Sequence, residues 1–265
     1  MRIIIIGSNK QAAMRQAIIG DAYVATTATI QKIPTTDYDA VFICSAHELK
    51  YNIARYALVN KKHVLVEAPL WGANVAQLEE LEHLALVNNV VFYIAYSYRF
   101  SNELARVHEL IHNDALGDIR HCRLLYSAVM DEHCNDALID LCPHLLDLLY
   151  FWFDENIMQH NFRIIYKERY SSQVIFADFD SKFTIEVEAN LMVASNKITC
   201  EIYSSINSVH INLLNDVAFK TELMQKEYVY FKQLCENTRN LTFSMVNKWI
   251  YTELDDLSKE ELLLA

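Results

Sequence analysis

Glycine and proline are both scarce, at four and three in 265 residues. Ordinary chains carry about 7% and 5%, so collagen-like, low-complexity and linker-rich architectures are excluded. Positive charge is also short. There are 23 Lys and Arg against 34 Asp and Glu, for a net charge of −11, and no basic run exceeds two residues. That balance argues against nucleic acid or an anionic membrane surface as a partner, since both attract basic faces. No window reaches the ~20 apolar residues of a membrane span. The opening Met1-Arg2-Ile3-Ile4-Ile5-Ile6-Gly7 is too short for the apolar core of a signal peptide. A soluble, cytoplasmic protein is the expectation. With 52% hydrophobic and 22% charged residues, the chain has room for one large or two modest packed domains.

The six cysteines, Cys44, Cys122, Cys134, Cys142, Cys200 and Cys235, show no CxxC spacing. In a cytosolic chain such residues are mostly small buried hydrophobes. His121-Cys122, His133-Cys134 and Cys142-Pro143-His144 do fall close together in sequence. Zinc sites, however, usually pair ligands two to four residues apart across a tight turn. Neighbouring His and Cys on a strand point to opposite faces, so each pair offers one ligand. No metal is expected.

What is present is an alternation of strand and helix. Ala40-Val41-Phe42-Ile43-Cys44 and His63-Val64-Leu65-Val66 are short apolar runs of β-formers, suited to strands buried on both faces. Ile53, Ala54, Ala57 and Leu58 recur between them at helical spacing. The stretch from Tyr38 to Leu70 is therefore a right-handed βαβ crossover, the unit of a parallel sheet. Upstream, Ile3 to Ile6 forms a strand, Lys10 to Ile19 a helix, and Asp21 to Thr27 a second strand. Downstream, Asn74 caps a helix with Leu78, Leu81, Leu84 and Ala85 on its apolar stripe, and Val90 to Ala95 makes another strand. This is an α/β, Rossmann-like parallel-sheet domain over residues 1–96.

Residues 97–265 read as a second, α+β domain. Ser101 to Ile111 is helical, Ile119 to Val129 is a strand, and Ala137 to Phe153 is a strongly apolar helix. Five short alternating runs follow between Phe162 and Leu214, Phe183 to Ala189 having the cleanest period of two. They predict an open antiparallel sheet with one wet face, or one face covered by a partner. Thr221 to Glu236 and Thr242 to Leu257 read as closing helices.

The first strand ends where a dinucleotide fingerprint, G-x-G-x-x-G, would begin. Its three positions are held by Gly7, Asn9 and Ala12. Ala is a familiar third residue, whereas an Asn side chain takes up the space where a pyrophosphate approaches. Asn tolerates a left-handed backbone, which would preserve the turn. Two readings stand side by side: a working phosphate loop, or a strand-turn-helix that keeps its shape without the dinucleotide. The acid expected ~20 residues on, for the adenosine ribose, is absent. Thr26 and Thr27 occupy that region, and no acid follows until Asp37.

The crossover and its closing Glu67-Ala68-Pro69 resemble the glucose–fructose oxidoreductase/inositol dehydrogenase (Gfo/Idh/MocA) family, whose tripeptide is Glu-Lys-Pro. Asp140-Leu141-Cys142-Pro143-His144-Leu145-Leu146-Asp147 resembles the family's D-x-G-x-H-x-x-D, and Tyr96-Ser97-Tyr98-Arg99-Phe100 its N-x-R-F stretch. The resemblance implies NAD or NADP as cofactor, held by Gly7, Asn9 and Ala12, by Ser45 and His47 in the crossover loop, and by Glu67 and Pro69 beneath the nicotinamide. It implies His144 as the proton-transferring residue, with Asp140 and Asp147 orienting the substrate and Tyr98 and Arg99 beside it. The family's catalytic Lys is Ala68 here. The spacing puts Asp140, His144 and Asp147 in one line along a helix, and Pro143 lets that helix start late with Asp140 as N-cap. The implied activity is NAD(P)-dependent oxidation or reduction of a sugar, polyol or related small molecule by a homodimer joined through the C-terminal sheet. The alternative is a degenerate relative that binds a small ligand or protein partner without catalysis.

Overall fold

The computed structural model describes residues 1–45, 47–70, 74–130, 136–153, 162–168, 170–178 and 183–237. The chain divides into two compact units. One joins Met1–Ser97 to the chain from Lys220, and the other begins at Tyr98 and runs through Phe219.

In the first unit, β1 (Ile3–Ile6), α1 (Lys10–Ile19), β2 (Tyr23–Thr27), β3 (Ala40–Ile43), α2 (His47–Val59), β4 (His63–Glu67), α3 (Val75–Asn88) and β5 (Phe92–Ala95) alternate as expected. The five strands are all parallel, in the order β2-β1-β3-β4-β5. All four residues of β1 and of β3 are fully buried, which is why those runs carry only β-branched, aromatic or small apolar side chains. Helix α3 starts with a capping box: Asn74 and Gln77 each accept the other's backbone N–H, satisfying two amides that helix geometry orphans. The chain leaves β1 towards β2 and then crosses back to β3, so the topological switch point lies between the carboxyl ends of β1 and β3.

The sequence boundary at 96/97 leaves everything beyond it in the second domain. The structure differs here. Helix α7 (Val217–Asn237) sends Phe231 and Leu234 into the same core as Ile3, Ile5, Phe42 and Leu65. Phe231 sits edge-on to Phe42 with ring centroids 5.5 Å apart. The apolar stripe of α7 is thus shaped for the parallel sheet. The expected helix over 242–257 lies outside the described residues.

The second unit contains α4 (Asn102–His112), β6 (Ile119–Val129), α5 (Ala137–Asp140), α6 (Cys142–Phe153) and five further strands: β7 (Phe162–Glu168), β8 (Ser171–Asp178), β9 (Phe183–Asn190), β10 (Met192–Ser204) and β11 (Ser208–Leu214). All five alternating runs are strands of one sheet, in the order β11-β10-β6-β9-β8-β7. The sheet is mixed rather than wholly antiparallel, because β6 and β9 pair in parallel. Cys122, Leu124, Ile185, Val187, Ile198 and Cys200 form its buried face, on which α6 packs. The opposite face is polar, with Arg123 donating to Glu188 at 2.9 Å and His121 bonded to Thr184 at 2.8 Å.

The single helix expected over 137–153 is two. Leu141 interrupts it, and the His144 amide bonds back to Leu141 in a tight turn. Pro143 has no amide to donate to residue 139, so the ladder has to restart. Asp136 caps α5, accepting from the Ile139 amide at 3.1 Å; Asp140 Oδ2 in turn accepts from the Asp136 amide at 3.0 Å. No helix among the described residues is long and apolar enough to cross a membrane.

Candidate functional site

At the switch point, Gly7 has φ 129° and presses against the end of β3. A Cβ built on it would lie 2.4 Å from the Cys44 carbonyl oxygen, so no side chain fits. Asn9 is extended (φ −82°, ψ 179°) rather than left-handed, and Gly7 carries the turn. Asn9 Oδ1 accepts from the Ala12 amide at 2.9 Å, which caps α1 with a group of its own. Two of the three fingerprint positions therefore meet each other at the helix start. Across the switch point, Ser45 Oγ is buried and meets no hydrogen-bond partner among the described residues. A buried hydroxyl of this kind calls for a partner. The side chain of His47, which opens α2, lies outside the described residues.

The tripeptide ends β4 beside this point, with a cis Ala68-Pro69 bond. Glu67 does not face open space. Its Oε1 accepts from Arg15 Nε at 2.6 Å, and Arg15 Nη2 donates to Glu227 Oε2 of α7 at 2.5 Å. Tyr93 adds a bond to Glu227 Oε1 at 3.3 Å. Arg15 and Glu227 are fully buried. Burial works against the guanidinium charge, but Glu67 and Glu227 outweigh it and hold Arg15 firmly protonated. One guanidinium cannot neutralise two carboxylates, and burial pushes the Glu227 carboxyl up to about 7 against the pull of Arg15. Lys50, from α2, is 3% exposed and donates to the Glu67 and Pro69 carbonyls, each at 2.8 Å.

Arg15, Lys50 and Glu227 were not singled out from sequence, although two of them leave a trace. Ala12, Arg15 and Ile19 form the buried stripe of α1, and Leu223, Met224, Glu227, Phe231 and Leu234 that of α7. A charged residue at a core position of a helix calls for a counter-charge.

In the second unit, His144 is half-buried on α6 between two tyrosines. Its ring stands edge-on to Tyr98 at 5.4 Å and to Tyr126 at 6.1 Å. The Tyr98 and Tyr126 hydroxyls bond each other at 2.8 Å, and Asn215 Nδ2 donates to both, at 2.6 and 3.1 Å. Asp147 is 1% exposed and gripped by Arg99 through two bonds, at 2.7 and 2.5 Å. Burial raises its carboxyl above the usual range despite that guanidinium. Asp147 and Arg99 thus spend their polar groups on each other, which leaves His144 as the more accessible member of the expected stripe. Among the described residues no group of three His, Cys, Asp or Glu is placed to hold a metal ion; His133 and Cys134 lie outside them.

The profile of the family described as "Oxidoreductase family, NAD-binding Rossmann fold", GFO_IDH_MocA, matches residues 2–96. Over 113 residues the chain is 28% identical to the trans-1,2-dihydrobenzene-1,2-diol dehydrogenase of Xenopus tropicalis, a match that covers 40% of this chain and 34% of that one. The chain thus spans about a third of the length of this curated relative. Two solved structures share the fold across both units. The myo-inositol 2-dehydrogenase of Lactobacillus plantarum superposes with a TM-score of 0.81 at 11% identity, covering 98% of this chain and 96% of that one. The scyllo-inositol dehydrogenase of Lactobacillus casei, with bound NAD(H) and scyllo-inositol, gives 0.77 at 14% identity over the same shares. At such identities the likeness is one of fold. The matched span includes Gly7, Asn9, Ala12, Glu67, Ala68 and Pro69, and His144 lies beyond it.

Proposed function

We propose that this chain is a cytoplasmic NAD(P)-binding oxidoreductase acting on a sugar, polyol or related hydroxyl-bearing small molecule. The observation that carries the reading is the switch point, where Gly7 admits no side chain and Ser45 Oγ is buried without a partner among the described residues. A crevice at the carboxyl ends of β1 and β3 is where doubly wound sheets take their ligands, and a dinucleotide supplies the bond Ser45 lacks. Gly7, Ser45 and the backbone of Glu67 to Pro69 would hold the cofactor, with Asn9 and Ala12 at the helix start. The bound nicotinamide supplies the acceptor or donor of a hydride. His144 is the candidate acid–base group: an imidazole can both take up and release a proton, it is half-buried, and Tyr98 and Tyr126 stand edge-on to its ring.

The test is nicotinamide absorbance change with a panel of inositols, aldoses and small polyols. Replacing His144 by Ala should lower turnover on an accepted substrate by about 10²–10⁴, the usual share of a general acid–base group. An unchanged rate would remove His144 from the chemistry.

A second reading, a ligand-binding protein without redox chemistry, is favoured by Asn9, which fills the α1 start with its own side chain, and by Ala68. A second copy on the polar face of the C-terminal sheet would make the homodimer that the resemblance implies. Mass by light scattering decides between one copy and two.

A further inference from the structure

We propose that Lys50 supplies, from helix α2, the positive charge that residue 68 does not supply, acting as a positioning residue in the nicotinamide crevice. This rests on the oxidoreductase reading above. Three observations carry it. The first is burial: Lys50 is 3% exposed, and lysine is almost never so deeply buried without a purpose-built surrounding. The second is its partners. Its Nζ donates to the Glu67 and Pro69 carbonyls, at 2.8 Å each, so the ammonium is held by the two peptide groups that bracket Ala68. The third is place. Glu67 ends β4, which neighbours β3 in the sheet, and β3 leads into Ser45, whose buried hydroxyl has no partner among the described residues. A cation and a hydroxyl therefore converge on the carboxyl edge of the sheet, where a ligand of this fold lies.

The charges there are sorted. The Glu67 carboxylate is taken by Arg15 at 2.6 Å, while Lys50 bonds the backbone of the same residue. The Cys44 thiol, raised chiefly by burial, feels Glu67 pushing it up and Arg15 and Lys50 pulling it down. A lysine at position 68 would start between the same two carbonyls. The cation here comes from the first turn of α2, the helix that precedes β4, and Ala68 is a small residue where a second ammonium would collide with it.

A cation beside the nicotinamide has a consequence that mere bracing does not. The oxidised ring is positively charged and the reduced ring is neutral, so the cation disfavours NAD+ relative to NADH. Dissociation constants for NADH, from tryptophan-to-nicotinamide energy transfer, and for NAD+, from competition, should be measured on the intact chain, on Lys50→Met and on Lys50→Met/Ala68→Lys. Lys50→Met should lower the preference for NADH over NAD+ by about tenfold, the size of one charge interaction across a few ångströms in a partly screened site. Adding Ala68→Lys should restore most of that preference, whereas Ala68→Lys alone crowds two ammonium groups and weakens binding of both forms. Lys50→Arg keeps the charge and should keep the preference, which gives a second variant should methionine unfold the chain. Equal loss of NADH and NAD+ affinity in Lys50→Met would make Lys50 a brace for the turn and overturn the proposal. Failure of the unaltered protein to bind either form would instead overturn the oxidoreductase reading, and this role of Lys50 with it.

Discussion

Replacing Arg15 by methionine should destabilise the protein by about 3–5 kcal/mol, the cost of removing one partner from a buried ion pair. The argument turns on what is left behind. Methionine fills much of the volume over the Phe42 ring, 5.9 Å from the guanidinium carbon, so little of the loss is packing. Glu67 and Glu227, however, would stand buried beside each other with no cation, and each must take up a proton or force the site open. The loss should therefore shrink in acid. The unaltered protein already shows the same sign. The folded Glu227 carboxyl is raised from its ordinary 4.5 to about 7, so it keeps its proton where the unfolded chain has lost it. Its contribution is fully present below pH 4.5 and is lost as pH rises through 7. Urea denaturation from pH 4.5 to 7.5 should give a gentler fall for Glu227→Gln than for the parent. In Arg15→Met the fall should be steeper, and Arg15→Met/Glu227→Leu should recover much of the loss. A cost under about 1 kcal/mol for Arg15→Met, typical of an exposed pair, would contradict a buried three-residue clamp.

Replacing Arg99 by alanine should cost a similar amount, about 3–5 kcal/mol by the same reasoning, because Asp147 is 1% exposed and both its oxygens are held by Arg99. Burial already raises the Asp147 carboxyl, and losing the guanidinium raises it further. Arg99 also lies over the Phe151 ring at 5.3 Å, so alanine removes a contact on α6 as well. Arg99→Leu/Asp147→Leu should be far more stable than Arg99→Ala. If Asp147 instead oriented a substrate, Asp147→Asn would change KM with little effect on the melting temperature. The bidentate grip predicts the opposite balance: a clear loss of stability, with KM following only as far as α6 shifts.

Much of the first unit is legible from periodicity and caps alone. Ile3–Ile6 and Ala40–Ile43 are buried on both faces and read as unbroken aliphatic runs, and Asn74 and Gln77 announce the start of α3. Ser101, read from sequence only as the first residue of a helix, proves to be the N-cap of α4, accepting from the Leu104 amide. What sequence did not give is long-range pairing. The parallel contact of β6 with β9 joins strands more than fifty residues apart in the chain, and neither strand's alternation states its partner's direction. The break at Leu141 follows from one missing amide at Pro143, which an apolar count passes over. The return of α7 to the parallel sheet hides in the same way, since an amphipathic stripe shows that a helix buries a face and not which sheet receives it.

The candidate site was legible as residue types but not as pairings. Asp140, His144 and Asp147 do follow at helical intervals, yet Asp147 is committed to Arg99 and Asp140 to the turn that Asp136 caps. Glu67 sits in the tripeptide as read, and its carboxylate is held by an arginine 52 residues upstream. Lys50 passed unnoticed because a lysine early in a helix is ordinarily a solvated residue, and only the fold brings it over Ala68. For Glu67, Asp147 and Lys50 the partner comes from another element, information that one-dimensional spacing does not hold.

On the proposed function, the crevice at Gly7 and Ser45 holds a nicotinamide dinucleotide although Asn9 caps α1 and residue 68 is alanine. Titration of NADH and of NADPH into the purified protein, read by energy transfer from tryptophan, tests it most directly. The account predicts saturable binding with a dissociation constant in the micromolar range, on the order of −8 kcal/mol, abolished by Gly7→Val. No saturable signal up to millimolar concentrations of either cofactor would contradict it and leave a ligand-binding protein without redox chemistry.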